Sequence, residues 1–337
     1  MNLSETHDVT AVDGVRLHID IKGMPENHPP LLYLHGGPGG GLNLAAFETF
    51  AGPYLEPVFP VAYLHQRGVL RSYDSRQINQ NLALHIQDIR TVVTFLCRRF
   101  QQERVYLLGH SWGGFTGSVF LSRYASLVAG FVAICPVISF PDIQQELYTL
   151  VTKIVGSSGD PTAQRELLSI GRPPYPDIDD FIRLQGLAAE TMGDPYRHVA
   201  TADLAKHTGY SINADHCLAI QTEIAAALWP ELYRLDLTAS LEMLTTPLLM
   251  IACKLDSAIP WTSGRRAFDA YGKFCSDVIK QWLLLESGNH LPFSEPFNKD
   301  RCMEGIMAFL KAQETKRKYA LKGRFSIGKQ LNGALDN

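Results

Sequence analysis

The stretch Val105-Tyr106-Leu107-Leu108-Gly109-His110-Ser111-Trp112-Gly113-Gly114 constrains this chain more than any other. Four apolar residues in a row predict a short strand buried on both faces. Residues 114–124 predict a helix. A strand that turns into a helix through Gly-x-Ser-x-Gly is the setting of a nucleophile elbow. The glycines let neighbouring backbone pass close to a strained serine. Such a turn lifts Ser111 Oγ clear of the sheet. It also leaves the serine backbone at a helix N-terminus, where N–H groups point at an incoming oxyanion.

The flanking chain repeats the strand–helix alternation. Val9–Val12, Asp13-Gly14 and Val15–Ile21 read as a β-hairpin, because Asp-Gly is a favoured two-residue turn and Val15, Leu17, Ile19 and Ile21 alternate. Leu31–Leu34 is a buried strand that runs into His35-Gly36-Gly37-Pro38-Gly39-Gly40-Gly41. A helix through Phe47 and Phe50 follows. Val61–Leu64 is the next strand, ending in His65-Gln66-Arg67-Gly68. Leu84, Ile86, Ile89, Val93, Leu96 and Phe100 recur at helical spacing and lead into the elbow strand. Leu127–Cys135 is a further strand. Alternation of this kind predicts a parallel sheet covered on both faces.

The alternation then stops. From about 139 to 241 the signals are helical, with a stripe of Ile143, Leu147, Leu150, Val151 and Ile154 ending at Gly156. Further helices are expected over 181–189, 220–228 and 237–244. The alternation resumes with a strand over 248–253, a helix over 265–271, a strand over 281–285 and a helix over 300–311. The expected organisation is an α/β core made of 1–137 and 245–315, an inserted helical cap over 138–244, and a basic tail over 316–337. The tail carries six Lys or Arg against Asp336 and reads as a solvated terminus.

Composition narrows the function classes. A net charge of −3 makes no electrostatic case for nucleic acid or an anionic membrane as partner. Met1–Asp8 has no basic region followed by an apolar one, so no signal peptide is expected, and no run approaches the ~18 apolar residues of a membrane span. Cys97, Cys135, Cys217, Cys253, Cys275 and Cys302 lie far apart with no metal-ligand spacing. Free thiols in a reducing cytoplasm are the expectation.

A serine hydroxyl needs a base to take its proton and a third group to orient that base. His290 fits the base, in the loop Glu286-Ser287-Gly288-Asn289-His290-Leu291-Pro292 after a late strand. Asp256 fits the acid, just past the strand before it. The order Ser111, Asp256, His290 is that of an α/β-hydrolase triad, each member at a strand's C-terminal end, the edge where ligands gather in open α/β sheets. The oxyanion needs two backbone donors. Trp112, after the nucleophile, supplies one. Gly37 in the Gly-rich loop supplies the other, with Gly36 close behind. A Gly-rich loop can instead cradle phosphate, but no Lys-Ser/Thr follows it and there is no GxGxxG.

His-Gly-Gly-Pro-Gly-Gly, Gln-Arg-Gly-x-x-x-Ser, Gly-x-Ser-Trp-Gly-Gly and Gly-Asn-His-x-Pro-Phe-x-Glu-Pro together resemble the proline iminopeptidase branch of the α/β-hydrolases. The match covers about 30–135 and 245–310. The resemblance implies a helical cap over the site, no metal and no dissociable cofactor. By position it carries the nucleophile to Ser111, the acid to Asp256, the base to His290, and the oxyanion donors to Gly37 and Trp112. Two departures stand out. His65 occupies the place of the family's Asp before Gln-Arg-Gly, either as a plain neighbour of the loop or as a substrate-site residue that alters the pocket's charge. The family also reads the substrate's free α-amino group with cap glutamates, often in a Trp-Glu context. Here the available acids are Glu190, Glu223 and Glu231, and Trp229-Pro230-Glu231 comes nearest to that context.

A serine at the elbow suits an acyl-enzyme, where the epoxide hydrolases and dehalogenases of the superfamily carry aspartate. The expected activity is that of a proline iminopeptidase-like aminopeptidase acting on a small molecule or short peptide. The alternatives are a small-molecule esterase, thioesterase or lactonase, or a ligand-binding homologue that hydrolyses little. The cap aromatics Tyr148, Tyr175, Tyr210, Trp229 and Tyr233 are candidates for an apolar pocket lining.

Overall fold

The computed structural model describes residues 3–23, 28–74, 79–209 and 211–333, with side chains as far as Tyr319. β1 (Leu3–Thr10) and β2 (Arg16–Gly23) form the expected antiparallel hairpin, but its strands and turn differ from expectation. β1 begins at Leu3, earlier than the expected start at Val9, and stops at Thr10. Ala11 N–H donates to Val15 O (2.7 Å) and Gly14 N–H to Ala11 O (3.0 Å), which widens the turn beyond Asp13-Gly14. The cause is Asp13, whose two carboxylate oxygens accept from the buried guanidinium of Arg67 at 2.6 and 3.2 Å.

β3 (Leu31–Leu34), α1 (Gly41–Leu55), β4 (Pro60–His65), α2 (Leu82–Arg99), β5 (Val105–His110), α3 (Trp112–Tyr124) and β6 (Val128–Ile134) then alternate as predicted. Asn81 caps α2 by accepting from Leu84 N–H. The sheet order is β1-β2-β4-β3-β5-β6 and then β7 (Leu248–Cys253) and β8 (Lys280–Leu285). Pairing is parallel from β4 across to β8 and antiparallel at β1–β2 and β2–β4. Strand alternation sorts the core into two layers. Leu32, Leu34 and Leu107 face α2 and α3, while Leu31, Tyr33 and Leu108 face α1 and the last helix.

From β3 the chain moves to β4 on one side, and from β5, the neighbour of β3 on its other side, it moves the opposite way to β6. The crevice outside the C-terminal ends of β3 and β5 is therefore a topological switch point, the place where open α/β sheets bind ligands.

Between β6 and β7 the described residues form helices and no strand: α4 (Phe140–Ser158), α5 (Pro161–Ile170), α6 (Ile178–Met192), α7 (Thr201–Thr208), α8 (Ala214–Leu232) and the short α9 (Thr238–Leu241). The segment leaves and returns at one point. Phe140 N–H donates to Leu235 O and Leu237 N–H to Ile138 O, both at 3.0 Å. α4 runs through Gly156, expected to end it, and stops at Gly159 in the left-handed region (φ +70°). α5 and α7 escaped the sequence reading because their apolar positions are few: Ala163, Leu167 and Ile170 in one, Leu204 in the other. The helix expected over 237–244 shrinks to α9.

After β7 come α10 (Trp261–Ala270), β8 and α11 (Lys299–Gly333). The basic tail, expected as a solvated terminus, continues the backbone of α11 to Gly333, and Arg317 pairs with Glu314 at 3.0 Å. No described helix is long and apolar enough to cross a membrane.

Candidate active site

Ser111 has φ +53° and ψ −114°, a strained backbone for a residue with a side chain. The turn closes because glycines surround it. A Cβ on Gly113 would sit 1.9 Å from Leu34 O, and one on Gly109 would sit 2.3 Å from Gly113 O. The strain is held by Ser111 N–H donating to Ile134 O (2.9 Å) and by Ser111 O accepting from Gly114 and Val137 N–H. Trp112 begins α3, so its N–H has no intrahelical acceptor.

His290 Nδ1 donates to Asp256 Oδ2 at 2.9 Å. Asp256 Oδ1 accepts from Ala258 N–H (2.8 Å) and Ile259 N–H (2.7 Å), so the carboxylate is fixed by three donors just past β7. Burial works against charge on His290, but the facing Asp256 carboxylate outweighs it and raises the ring's pKa above the ordinary value. Asn289 shapes the loop. Its Oδ1 accepts from the N–H of His290 (2.7 Å) and of Ser257 (2.9 Å), while its own N–H donates to Glu295 Oε1 (2.7 Å). This gives the Asn and the Glu of Gly-Asn-His-x-Pro-Phe-x-Glu a structural task.

A buried chain of hydrogen bonds joins the Gly-rich loop to the elbow. Asn43 Oδ1 accepts from Gly36 N–H (2.8 Å) and Tyr33 O–H (2.7 Å), and Asn43 Nδ2 donates to His110 Nδ1 (2.7 Å). His110 Nε2 in turn donates to His290 O (2.7 Å). Burial pushes the His110 pKa well down, which keeps the ring neutral and its tautomer fixed. Gly36 must be glycine, since a Cβ there would meet His110 Nδ1 at 2.9 Å. Gln66 ties the same region together by accepting from Trp112 Nε1 (3.2 Å) and donating to His35 O (3.0 Å). His110 lay inside a quoted motif without a role. Asn43 carried no sequence signal.

A cavity of about 390 Å³ opens on this edge. Ser111, His290, Gly36 and Gly37 line it together with Asn43 and His110. Its walls are largely apolar, including Val137, Phe140, Ile143, Phe181, Leu232 and Ile259. Among the cap candidates, Trp229 lines it and donates through Nε1 to Tyr175 O (2.9 Å). Tyr148, Tyr175 and Tyr233 are not in the lining, and Tyr210 lies outside the described residues.

The three glutamates do not reach the cavity. α6 presents Ile178, Ile182, Gln185 and Ala189 to it, which turns Glu190 outward, and α8 presents Leu218, Gln221, Thr222, Ala225 and Trp229, which turns Glu223 outward. Glu231 is exposed and accepts from Leu82 N–H at 3.2 Å. The acid that does line the cavity is Asp194, in the loop after α6, which no motif marked. His65 is likewise not in the lining. It is fully buried, and its Nε2 donates to Asp20 Oδ2 on β2 at 2.9 Å.

Residues 29–157 match the family of the alpha/beta hydrolase fold. The chain has the α/β-hydrolase fold. Over 82% of its length it is 25% identical to a probable aminopeptidase of Bacillus subtilis, spanning 87% of that protein. It is 22% identical to a proline iminopeptidase of Saccharolobus solfataricus, over 88% of this chain and 89% of the other. Among solved structures, the proline iminopeptidase-related protein of Thermus thermophilus shares the fold with a TM-score of 0.63 and 21% identity, over 92% of this chain and 99% of that one. By these relatives the chain resembles the proline iminopeptidase-like branch, and the likeness supports a hydrolytic enzyme.

Proposed function

We propose that this chain is a serine hydrolase that forms an acyl-enzyme on Ser111 and removes the N-terminal residue of a small amide or short peptide. One observation carries the reading: His290 Nδ1 is bonded to Asp256, and the same ring lines the cavity that Ser111 lines. Ser111 Oγ attacks the carbonyl carbon. His290 Nε2 takes the hydroxyl proton and later gives it to the leaving amine. Asp256 holds the tautomer and favours the imidazolium. The Gly37 and Trp112 N–H groups receive the oxyanion, and losing one such donor typically costs ~2.7–4 kcal/mol. Water then attacks the acyl-enzyme by the same route in reverse.

The aminopeptidase reading draws on the relatives and on Asp194, a carboxylate in the lining available to a substrate ammonium. A second reading, a carboxylic ester hydrolase, is favoured by the apolar walls and by Glu190, Glu223 and Glu231 facing away. A volume of this size suits a small molecule under either reading.

The test compares prolyl-β-naphthylamide with a short p-nitrophenyl ester, using Ser111→Ala as the blank. Turnover is expected to fall on the order of 10⁵–10⁶-fold in Ser111→Ala, with the melting temperature unchanged. Turnover that survives the substitution removes the triad reading. Amide cleavage lost in Asp194→Asn supports the aminopeptidase, whereas ester cleavage without amide cleavage selects the second reading.

A further inference from the structure

His290 has a neighbour that the mechanism does not use. β6 ends at Ile134, and Cys135 follows with φ +43°, its N–H donating to Ile251 O on β7 at 2.8 Å. The left-handed backbone is costly for a cysteine and keeps this residue between the ends of β5 and β7. There the Cys135 sulfur, a ring nitrogen of His290 and a carboxylate oxygen of Asp256 all lie within 4.8 Å of one another, and all three residues are buried.

Thiolate, imidazole and carboxylate together are a donor set for zinc and ions like it. Ligands held at ~2.0–2.3 Å in a tetrahedron stand roughly 3.3–3.8 Å apart, so a side-chain adjustment of about 1 Å closes the triangle. Asp256 can take part without losing its place. Its Oδ1 keeps the Ala258 and Ile259 N–H groups, and Oδ2 faces His290. Of the three, His290 lines the cavity, and Cys135 and Asp256 lie behind it.

We propose that Cys135, Asp256 and His290 form an inhibitory site for a zinc-class divalent cation, distinct from any resident cofactor. Bonds form from the metal to Cys135 Sγ, His290 Nδ1 and Asp256 Oδ2, and water fills the fourth position. The S–H proton leaves to buffer, one per ion. On a neutral ring the proton at Nδ1 is replaced by the metal and ends on Nε2; an imidazolium loses its Nδ1 proton to buffer, so the metal-bound ring is neutral in either case. Nε2 then has no lone pair for the Ser111 proton. Metal binding and proton abstraction exclude each other. Without metal, burial keeps the Cys135 thiol protonated, and the Asp256–His290 bond is undisturbed.

The effect on rate rests on the serine-hydrolase reading; the binding does not. The experiment is zinc titration of the full chain by calorimetry, in two buffers of different ionisation heat, on wild type, Ser111→Ala, Cys135→Ser and Cys217→Ala. Wild type and Ser111→Ala are expected to bind one ion per chain with release of the thiol proton, and of a second from His290 at pH values where its ring is charged. Cys135→Ser is expected to bind at least tenfold more weakly, and Cys217→Ala as wild type does. Magnesium, which prefers oxygen ligands, should not compete. In parallel, zinc should suppress ester or amide turnover, a chelator should restore it, and Cys135→Ser should resist at the same zinc concentration. If Cys135→Ser unfolds, Cys135→Ala takes its place under the same expectations. Zinc affinity unchanged in a folded Cys135 variant overturns the site, as does the absence of stoichiometric binding. Cys135-dependent binding to a protein whose turnover survives Ser111→Ala keeps the metal site and removes the triad reading.

Discussion

Two buried clusters in this molecule set histidine against carboxylate, and they do different things. At the C-terminal ends of β7 and β8, Asp256 holds His290 by one nitrogen, and the ring lines the cavity. On β2 and β4, Asp20 lies between His65 (2.9 Å), His18 (3.3 Å) and Arg71 (3.1 Å). There the bonds are turned inward. His65 donates to Asp20 through Nε2 and accepts from Arg71 N–H (3.3 Å) through Nδ1. Burial opposes the Asp20 carboxylate, but His18 and His65 outweigh it and hold its pKa well below the usual carboxylate range. Burial pushes the His65 pKa down. The residue types are the same; what differs is access. A histidine–carboxylate pair offers chemistry where a strand ends at a cavity, and stiffness where it lies between strands.

Matched substitutions in the two clusters give the largest contrast. Asp256→Asn should cut kcat by about 10⁴-fold, because the amide favours the wrong imidazole tautomer. Asp20→Asn should leave kcat/KM within about twofold and lower the unfolding free energy, since breaking a buried pair typically costs ~3–5 kcal/mol. Steady-state kinetics and urea unfolding of both variants check this. The opposite pattern, activity lost in Asp20→Asn and kept in Asp256→Asn, would break the comparison and move the chemistry to the wrong cluster.

How much of this was legible follows from what each residue's signal depends on. β3 and β7 were read to the residue because strands buried on both faces are plain apolar runs bounded by turn residues. Ser111, Asp256 and His290 stood out as triad candidates because each follows such a run; the structure brings Asp256 and His290 into contact and both His290 and Ser111 onto one cavity. The cap was harder. Its helices bury narrow stripes, so α5 and α7 had too few apolar positions to be seen. Which acid faces inward depends on the rotation of α6 and α8, which puts Glu190 and Glu223 outside and leaves Asp194 to line the cavity from a loop. His65 looked like a pocket residue because its motif neighbours are near the site. Its partner, Asp20, lies on a strand 45 residues earlier, a pairing the local sequence does not encode.

Asn43 was equally invisible and sharpens the comparison from the active side. Among the described residues it is the one side chain that bonds both the Gly-rich loop and the residue before Ser111. Asn43→Ala leaves Gly36 N–H and His110 Nδ1 without that partner and frees the loop that presents Gly37. A shift of ~1 Å in such a group can cost about 10²-fold. The expected result is a kcat lower by roughly that factor with KM nearly unchanged, because the lost interaction serves the oxyanion rather than the bound substrate. Asn43→Asp keeps the acceptor for Gly36 and Tyr33 and loses the donor to His110, so it should fall between wild type and Asn43→Ala. A fall in stability with no change in kcat in either variant would show the strut to be structural only.

The smallest effect comes from the closed cluster and concerns pH. The hydrogen bond to Asp20, together with Asp8 at 2.8 Å, raises the His18 pKa above its ordinary 6.5 against the effect of burial. A histidine whose pKa is raised by folding stabilises the fold fully below the unfolded value, and loses that contribution as pH rises through the folded value. Arg71, 3.3 Å from His18 Nε2, and His65 opposite both disfavour the charge, yet the two carboxylates outweigh them. His18→Gln should therefore lower the melting temperature most below pH 6.5, and the gap to wild type should narrow as pH rises into the alkaline range. Calorimetric melting of the two proteins at half-unit pH steps measures the gap directly. A gap that widens with pH would mean that His18 is neutral in the fold, and the cluster would then be held by Asp20, His65 and Arg71 alone.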